Sequence, residues 1–154
     1  MIVDYIQRLY TYNFDVNNLV IENIQELKQD YDKTITIMAH LLTAEKIWMM
    51  RLRGKDLSKQ IIWPAFSLDE CRTQLRENKN VYAKYLAKKN DHSLRANLIY
   101  TTSKGEKFET PIIDILMHVI VHGGYHRGQI NALIRQAGGE PINTDFIHYV
   151  RYLL

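Results

Sequence analysis

Three of the six histidines in this 154-residue chain fall within nine consecutive positions, as His118, His122 and His126. On an α-helix, residues four apart share one face and lie about 6 Å apart along the axis, so neighbouring imidazoles of this run can reach a common ion. The outer pair lies about 12 Å apart, and a single helix does not easily bring all three to one ion. The spacing therefore indicates metal binding by two histidines, with His118 as a candidate to orient a ligand or receive a proton.

The neighbours of His122 and His126 indicate the direction of their side chains. Both histidines interrupt an otherwise apolar helical stripe and are predicted to point into the protein. Gly123, Gly124 and Gly128 each cost about 1 kcal/mol relative to alanine inside a helix, so a neighbouring backbone or a ligand is expected to approach closely there. The alternative is a pair of core histidines, each hydrogen-bonded to a carbonyl or a carboxylate.

A third ligand has to come from another helix, and His40 is the best-placed candidate. It interrupts a second apolar stripe, where the alternative is a core histidine with satisfied hydrogen bonds. His92 is expected in a loop and His148 in the last helix, and no role is predicted for either. The single cysteine, Cys71, excludes an internal disulfide framework and a cysteine-rich zinc module, and we interpret it as a core residue.

Further candidates surround the histidines. Gln129, three residues past His126, lies near the same helix face and is a candidate for a hydrogen bond across the bundle. Tyr12 and Trp48 are candidates to line a pocket, with core packing as the alternative. Arg127 lies about 100° from His126 around the helix, which predicts pairing at the surface or at an interface.

The elements that position these residues are nearly all helices. Apolar residues recur every three to four positions along most of the chain, and the period changes to two only between Leu94 and Thr110. The predicted elements are helices from Ile2 to Leu27, from the Asp30–Asp32 run to Gly54, from a Ser67–Glu70 capping box to Asn90–Asp91, and from Pro111 to Gly138, with a hairpin over 94–110 and a short helix over 145–152. The expected fold class is all-α, a four-helix bundle with a small β-hairpin before the last long helix, in a single domain over residues 1–154.

Composition excludes several classes of function. Apolar residues make up 46% of the chain, which is typical of a globular domain with a buried core rather than a disordered chain. The net charge is only +3 and the basic residues are scattered, so no nucleic-acid partner is expected. No apolar run has the length of a signal peptide or of a membrane span, and we expect a cytoplasmic protein without a membrane partner.

Two segments carry a family resemblance. The runs His40-Leu-Leu-Thr-Ala-Glu45-Lys-Ile-Trp48 and His122-x-x-x-His126-Arg-Gly-Gln resemble the DinB/YfiT-like superfamily of metal-binding four-helix bundles, as do the early Tyr-Asn pair at 12–13 with the asparagine at 17 and the closing segment 141–149. The resemblance extends over essentially the whole chain. It implies one DinB-like domain over residues 1–154, a divalent metal ion (zinc or nickel) on His40, His122 and His126, and a homodimer.

Three histidine ligands leave a coordination position open, which is what a catalytic metal site requires. Branches of the similar family transfer low-molecular-weight thiols such as bacillithiol, mycothiol or glutathione to electrophiles. The resemblance therefore implies a metal-dependent transferase or hydrolase that acts on small electrophilic molecules, with a thiol as cosubstrate. The alternatives are a non-catalytic metal-binding or stress-response module, and a dimeric scaffold whose histidines are structural.

Overall fold

The computed structural model describes residues 1–28 and 31–152, and most of this part of the chain is helical. The elements in chain order are α1 (Ile2–Gln25), α2 (Tyr31–Leu52), α3 (Leu68–Leu86), α4 (Asp91–Leu94), β1 (Asn97–Thr101), β2 (Lys107–Pro111), α5 (Ile112–Gln136) and α6 (Phe146–Tyr152). The two strands pair antiparallel immediately before α5. The predicted fold class, a helical bundle with a small hairpin before the last long helix, is confirmed.

The four long helices form a closed ring around one apolar core. Helix α2 packs against α3 and α5, and α1 packs against the same two helices, so the order around the bundle is α1, α3, α2, α5. Buried apolar side chains from all four helices meet in one cluster. Because α2 and α5 are neighbours, the histidine of one faces the histidines of the other.

Helix ends follow the residues that the sequence marks. Before α3, the Ser67 hydroxyl accepts from the Glu70 backbone N–H at 3.2 Å and the Glu70 carboxylate accepts from the Ser67 N–H at 2.7 Å, which confirms the predicted capping box. After α2, Gly54 adopts a φ of 63°, and the Lys55 N–H donates to the carbonyl of Met50 at 2.9 Å. This is the Schellman geometry that glycine favours, and it turns the chain into the segment that crosses the histidines.

Some predicted helix ends lie beyond those of the structure. Helix α1 ends at Gln25 rather than at Leu27, and α3 ends at Leu86 rather than at Asn90–Asp91. A short helix, α4, occupies the region expected to be a loop around His92, because Asn90 and Ser93 cap its start reciprocally. Asp30, a predicted cap of the second helix, lies outside the described residues, and α2 begins at Tyr31.

The hairpin is anchored to the helices rather than standing free. The Ile112 N–H donates to the carbonyl of Ala96 at 2.9 Å, and Tyr100 of β1 packs edge-on against Trp48 of α2 with ring centroids 5.4 Å apart. These contacts stabilise a two-stranded sheet that would be marginal alone. Within the described residues, no helix combines the length and hydropathy needed to cross a bilayer.

Candidate metal centre

Helices α2 and α5 bring three histidines together. His40 from α2 and His122 and His126 from α5 each offer a ring nitrogen, and these nitrogens all lie within 4.8 Å of one another. His40 and His126 are only 8% and 6% exposed, and His122 is half-buried. The structure therefore brings together the three residues that the sequence singles out as ligands; we call them the histidine cluster.

The spacing of the two α5 histidine nitrogens is close to what one small cation requires. Nε2 of His122 and Nε2 of His126 lie 3.1 Å apart. Two histidine nitrogens bound tetrahedrally to one zinc ion at about 2.0–2.1 Å lie about 3.3 Å apart. The pair therefore needs to separate only slightly to share an ion.

Two of the cluster's rings are oriented by hydrogen bonds at their other nitrogen. Nδ1 of His40 lies 2.9 Å from the carbonyl oxygen of Ile62, and Nδ1 of His126 lies 2.7 Å from Oε1 of Gln129. Both oxygens only accept, so each Nδ1 carries the proton and each Nε2 presents a lone pair, that of His126 within hydrogen-bond distance of Nε2 of His122. This is the arrangement by which proteins fix the tautomer of a histidine that binds a metal.

Burial keeps the two α5 histidines of the cluster neutral. Desolvation, together with the neighbouring imidazoles of His126, His40 and His118, lowers the pKa of His122 to about 4. Desolvation also lowers the pKa of His126, against the opposing effect of its bond to Gln129. Neutral imidazole is the form that binds a metal, so His122 and His126 are in their binding form at neutral pH.

Residues 60–64, in the connection between α2 and α3, cover one side of the histidine cluster. The indole of Trp63 stacks on the His40 ring with centroids 3.7 Å apart and planes 9° apart, while the preceding carbonyl of Ile62 holds the same ring by its edge. Sequence reasoning missed both residues. In a loop, no hydrophobic period predicts which side chains point inward. The Trp63-Pro64 pair is the one local feature of this segment that could have drawn attention to it.

A second ring group extends from the histidine cluster toward the hairpin. The His118 ring lies 5.7 Å from that of His122, and the Trp48 ring lies 5.2 Å from that of His118. Partial burial and the nearby guanidinium of Arg51 lower the pKa of His118. Trp48, a predicted pocket residue, thus contacts His118 rather than the cluster itself.

Beneath the histidine cluster lies a buried polar network. The Glu45 carboxylate accepts from the side-chain amides of Asn13, Asn17 and Asn78 at 2.7, 2.9 and 2.9 Å. The guanidinium of Arg127 donates to the amide oxygens of Asn13 and Asn17 at 2.7 and 2.8 Å. Burial raises the pKa of Glu45, while the amide donors and Arg127 oppose the rise.

The expectation for Arg127 is wrong. It is only 1% exposed, not at the surface. Helix α5 is buried on two sides, so a step of about 100° from the α2-facing His126 reaches α1 rather than solvent. Gly123 supplies the room: a Cβ atom there would lie 2.9 Å from the Asn13 amide oxygen and 3.0 Å from the Arg127 guanidinium. The close approach expected at the glycines thus holds at Gly123, whereas a Cβ at Gly128 would meet nothing within 4 Å.

The remaining candidates lie at various distances from the histidine cluster. Gln129 bonds to His126 on its own helix rather than across the bundle. The Tyr12 hydroxyl donates to the carbonyl of Thr144 at 2.7 Å and lies 3.4 Å from Arg127, so Tyr12 links the buried network to the chain's last segment.

Cys71 is fully buried in the core, and burial raises its pKa to about 12. His92 is exposed on α4, and His148 packs against Tyr152 on α6.

Comparison with known proteins identifies the family of this chain. A sequence model of the DinB family matches residues 3–152. The chain is also 28% identical, over 172 aligned residues, to the Bacillus subtilis (strain 168) protein named Protein DinB, an alignment that covers 96% of this chain and 94% of that protein. The chain belongs to the DinB family, and the resemblance carried by its histidine segments is confirmed.

Proposed function

We propose that this DinB-family chain binds one divalent metal ion, zinc or nickel, through His40, His122 and His126, and acts as a metal-dependent transferase or hydrolase on small electrophilic molecules. The observation that carries the proposal is the convergence of three imidazoles, two buried and one half-buried, whose ring nitrogens lie within 4.8 Å of one another. An all-imidazole donor set suits zinc and nickel, whereas calcium and magnesium prefer oxygen ligands.

A bound ion with only three protein ligands keeps a position for a small molecule and supplies Lewis-acid activation that makes a thiol or a water more acidic. The chain's own residues prepare this position. Ile62 and Gln129 fix the tautomers of His40 and His126, and the Trp63 ring shields one face of His40.

His118 is the residue we assign to proton transfer. Its ring lies one helical turn from His122, outside the ligand set, and its lowered pKa leaves it neutral and able to accept a proton at neutral pH. A thiol or a water that loses a proton at the open position would have this acceptor beside it. The role also accounts for the third histidine of the run on α5.

The test is a turnover screen with metal-loaded protein. Low-molecular-weight thiols, and water alone, are offered with chlorinated, epoxide and ester electrophiles, and product is measured by mass spectrometry. We expect turnover that is lost in His126→Ala and retained in His148→Ala, a matched change on α6. If fully loaded protein turns over no combination, the chain is a non-catalytic metal-binding or stress-response module instead.

The proposal extends to the organisation of the chain. We infer one domain over residues 1–154, supported by a single core cluster whose members come from all parts of the chain between Val3 and Tyr149. We also infer a homodimer, supported by exposed large apolar side chains such as Val121 on α5 and Ile147 on α6. Analytical ultracentrifugation that gave the mass of one chain would contradict the dimer.

A further inference from the structure

A cavity lies between the C-terminal end of α2, segment 57–62 and the hairpin, and it shares the lining residue Ile62 with the surroundings of the histidine cluster. Its volume is about 360 Å³. The polar side chains in its lining are one arginine, one amide and four hydroxyls, namely Arg51, Gln60, Ser58, Thr101, Thr102 and Ser103. None of the lining residues is acidic, so the cavity offers hydrogen-bond donors and a positive charge.

The guanidinium of Arg51 has no counter-charge in the structure. It lies 4.5 Å from the ring centroid of Trp48 and 5.8 Å from that of Tyr100, and these aromatic faces hold it in place. Across residues 1–28 and 31–152, the guanidinium has no ion pair, and its buried Nε has no hydrogen-bond partner. The side chain is half-buried, so the guanidinium is open to a partner from outside the chain, and an anion there would pair with a charge that the described residues leave unpaired.

The neighbouring charges do not supply that partner. Lys55 and Asp56 border an adjoining cavity that also reaches Arg51. The Asp56 carboxylate is engaged by Ser58, whose backbone N–H and hydroxyl donate to its two oxygens at 2.9 and 2.8 Å. Arg51 is therefore the positive group left to meet a ligand, with the Ser and Thr hydroxyls around it.

We propose that this cavity binds the oxyanion end, a carboxylate or a phosphate, of the small molecule on which the protein acts. The planar guanidinium of Arg51 would contact two oxygens of such a group, and the Gln60 amide together with the hydroxyls at 101–103 would complete its hydrogen bonds. The assignment of this ligand as substrate rests on the function proposed above. The oxyanion site itself rests only on the cavity and the unpaired arginine.

The oxyanion site and the histidine cluster are joined by shared residues. Ile62 lines the cavity, and its backbone carbonyl accepts a hydrogen bond from Nδ1 of His40. On the other side, Trp48 contacts both Arg51 and His118, and His118 neighbours His122. A ligand anchored at Arg51 would thus extend past Trp48 and His118 toward the open metal position, which defines the substrate class as an anionic molecule several atoms long.

The test uses Trp48 as an optical reporter, because the Arg51 guanidinium lies against its ring. Trp63→Phe leaves Trp48 as the only tryptophan. This chain is titrated separately with succinate and with inorganic phosphate at constant ionic strength, with chloride as the blank. We expect a saturable fluorescence change in the millimolar range for one of the two probes, as suits a fragment with few contacts. The responding probe tells a carboxylate from a phosphate.

Variants then assign the response to Arg51. In the same background, Arg51→Gln is expected to weaken binding by about tenfold or more, and Arg51→Lys by less, because lysine keeps the charge but loses the planar fork. The matched control is Arg53→Gln, which removes an equal charge from an exposed side chain two residues away and should leave binding unchanged. If Arg51→Gln does not fold, the test still rests on two measurements: the titration of the Trp63→Phe chain that keeps Arg51, and the weaker binding expected of Arg51→Lys.

Two results would overturn the oxyanion site: no saturable response to either probe, or equal weakening in the Arg51→Gln and Arg53→Gln chains. Metal content is measured in parallel in the native chain and in Arg51→Gln, both with Trp63 in place because that ring stacks on His40, and Arg51→Gln is expected to retain its metal. Metal binding without anion binding would refute only this inference. Saturable anion binding together with no metal uptake by the native chain would refute the proposed function and leave the oxyanion site intact.

Discussion

At the scale of single residues, the direction of a lone pair decides whether a histidine can bind a metal. His126 owes its direction to Gln129, whose oxygen lies 2.7 Å from Nδ1, and Gln129 is itself oriented by donating to the Tyr125 hydroxyl at 3.2 Å. The outer partner of a metal-binding histidine raises its basicity and restricts its rotation. Gln129 is therefore a positioning residue for the proposed centre.

The first prediction concerns this residue. Gln129→Ala should weaken zinc affinity by about 10–100-fold, because the His126 ring loses the acceptor that fixes its tautomer. Competition against a chromophoric chelator measures the affinity. The control is Gln136→Ala, at the exposed end of the same helix, and equal affinities in both variants would contradict the role of Gln129.

Only some residues of the candidate site could be predicted from the sequence. The His122 and His126 pair was predictable because the i,i+4 spacing puts both on one helix face within an apolar stripe, and His40 because it interrupts a second stripe. Trp63 and Ile62 were not predictable, since their contacts with His40 depend on the path of a loop. Arg127 was misjudged because the angle between two residues on a helix does not tell how many sides of that helix are covered.

At the scale of elements, α1 and α5 approach one another through a polar contact that requires glycine. Gly123 lies against the Asn13 amide, which is already held by Arg127 at 2.7 Å, so neither side chain can move without losing a buried bond. Gly128, one turn further along and exposed, faces open space. Of the three glycines in α5, Gly123 is required by a close contact, whereas the surroundings of Gly128 have room for a side chain.

The second prediction is a contrast between them. Gly123→Ala should destabilise the protein by about 1–3 kcal/mol through overpacking. Gly128→Ala should stabilise it by about 0.5–1 kcal/mol, because alanine is the better helix former and meets no obstacle. Urea unfolding of both variants measures the two free energies, and a shift of the same sign in both would refute the close approach at Gly123.

The start of α1 is stabilised by a residue distant in sequence. Met1, its N-cap, provides no side-chain hydrogen bond, and Asp91 of α4 instead accepts from the backbone N–H groups of Val3 and Ile2 at 3.0 and 3.1 Å. These bonds to Val3 and Ile2 lower the pKa of Asp91 below its usual 3.8. A carboxylate at a helix N-terminus also interacts favourably with the helix dipole.

The third prediction follows from the sign of that shift. Because the folded state lowers the pKa of Asp91, its stabilising effect is complete above pH 3.8 and is lost as the pH falls through the folded value. The difference in Tm between the native chain and Asp91→Asn should therefore be largest at neutral pH and should close in acid. Glu26→Gln, which removes an exposed charge just beyond the other end of α1, is the control. A difference for Asp91→Asn that does not change with pH would contradict the cap.

At the scale of the whole molecule, four helices are tied together by one buried polar network. Asn13 and Asn17 come from α1, Glu45 from α2, Asn78 from α3 and Arg127 from α5. The bundle and the hairpin were predictable from the apolar period alone, since that pattern tells which face of each helix is buried. The network was not, because a single sequence does not tell which buried polar groups will meet.

The fourth prediction removes the network's cation. Arg127→Met should destabilise the protein by about 3–5 kcal/mol, since the Glu45 carboxylate and two amide oxygens would stay buried without it. Urea unfolding measures the loss. Arg135→Met, an exposed change on the same helix, should lie within about 0.5 kcal/mol of the native chain. Similar losses in both variants would mean that the network contributes little.

The central claim is that His40, His122 and His126 hold a metal ion, and the most direct test is the metal content of protein prepared without a histidine tag. The protein is loaded with zinc or nickel, dialysed, and analysed by inductively coupled plasma mass spectrometry beside His122→Ala and the control His92→Ala. The account predicts about one ion per chain in the native and control proteins and less than about 0.2 in His122→Ala. Less than about 0.2 ion per native chain, or full occupancy in His122→Ala, would contradict it.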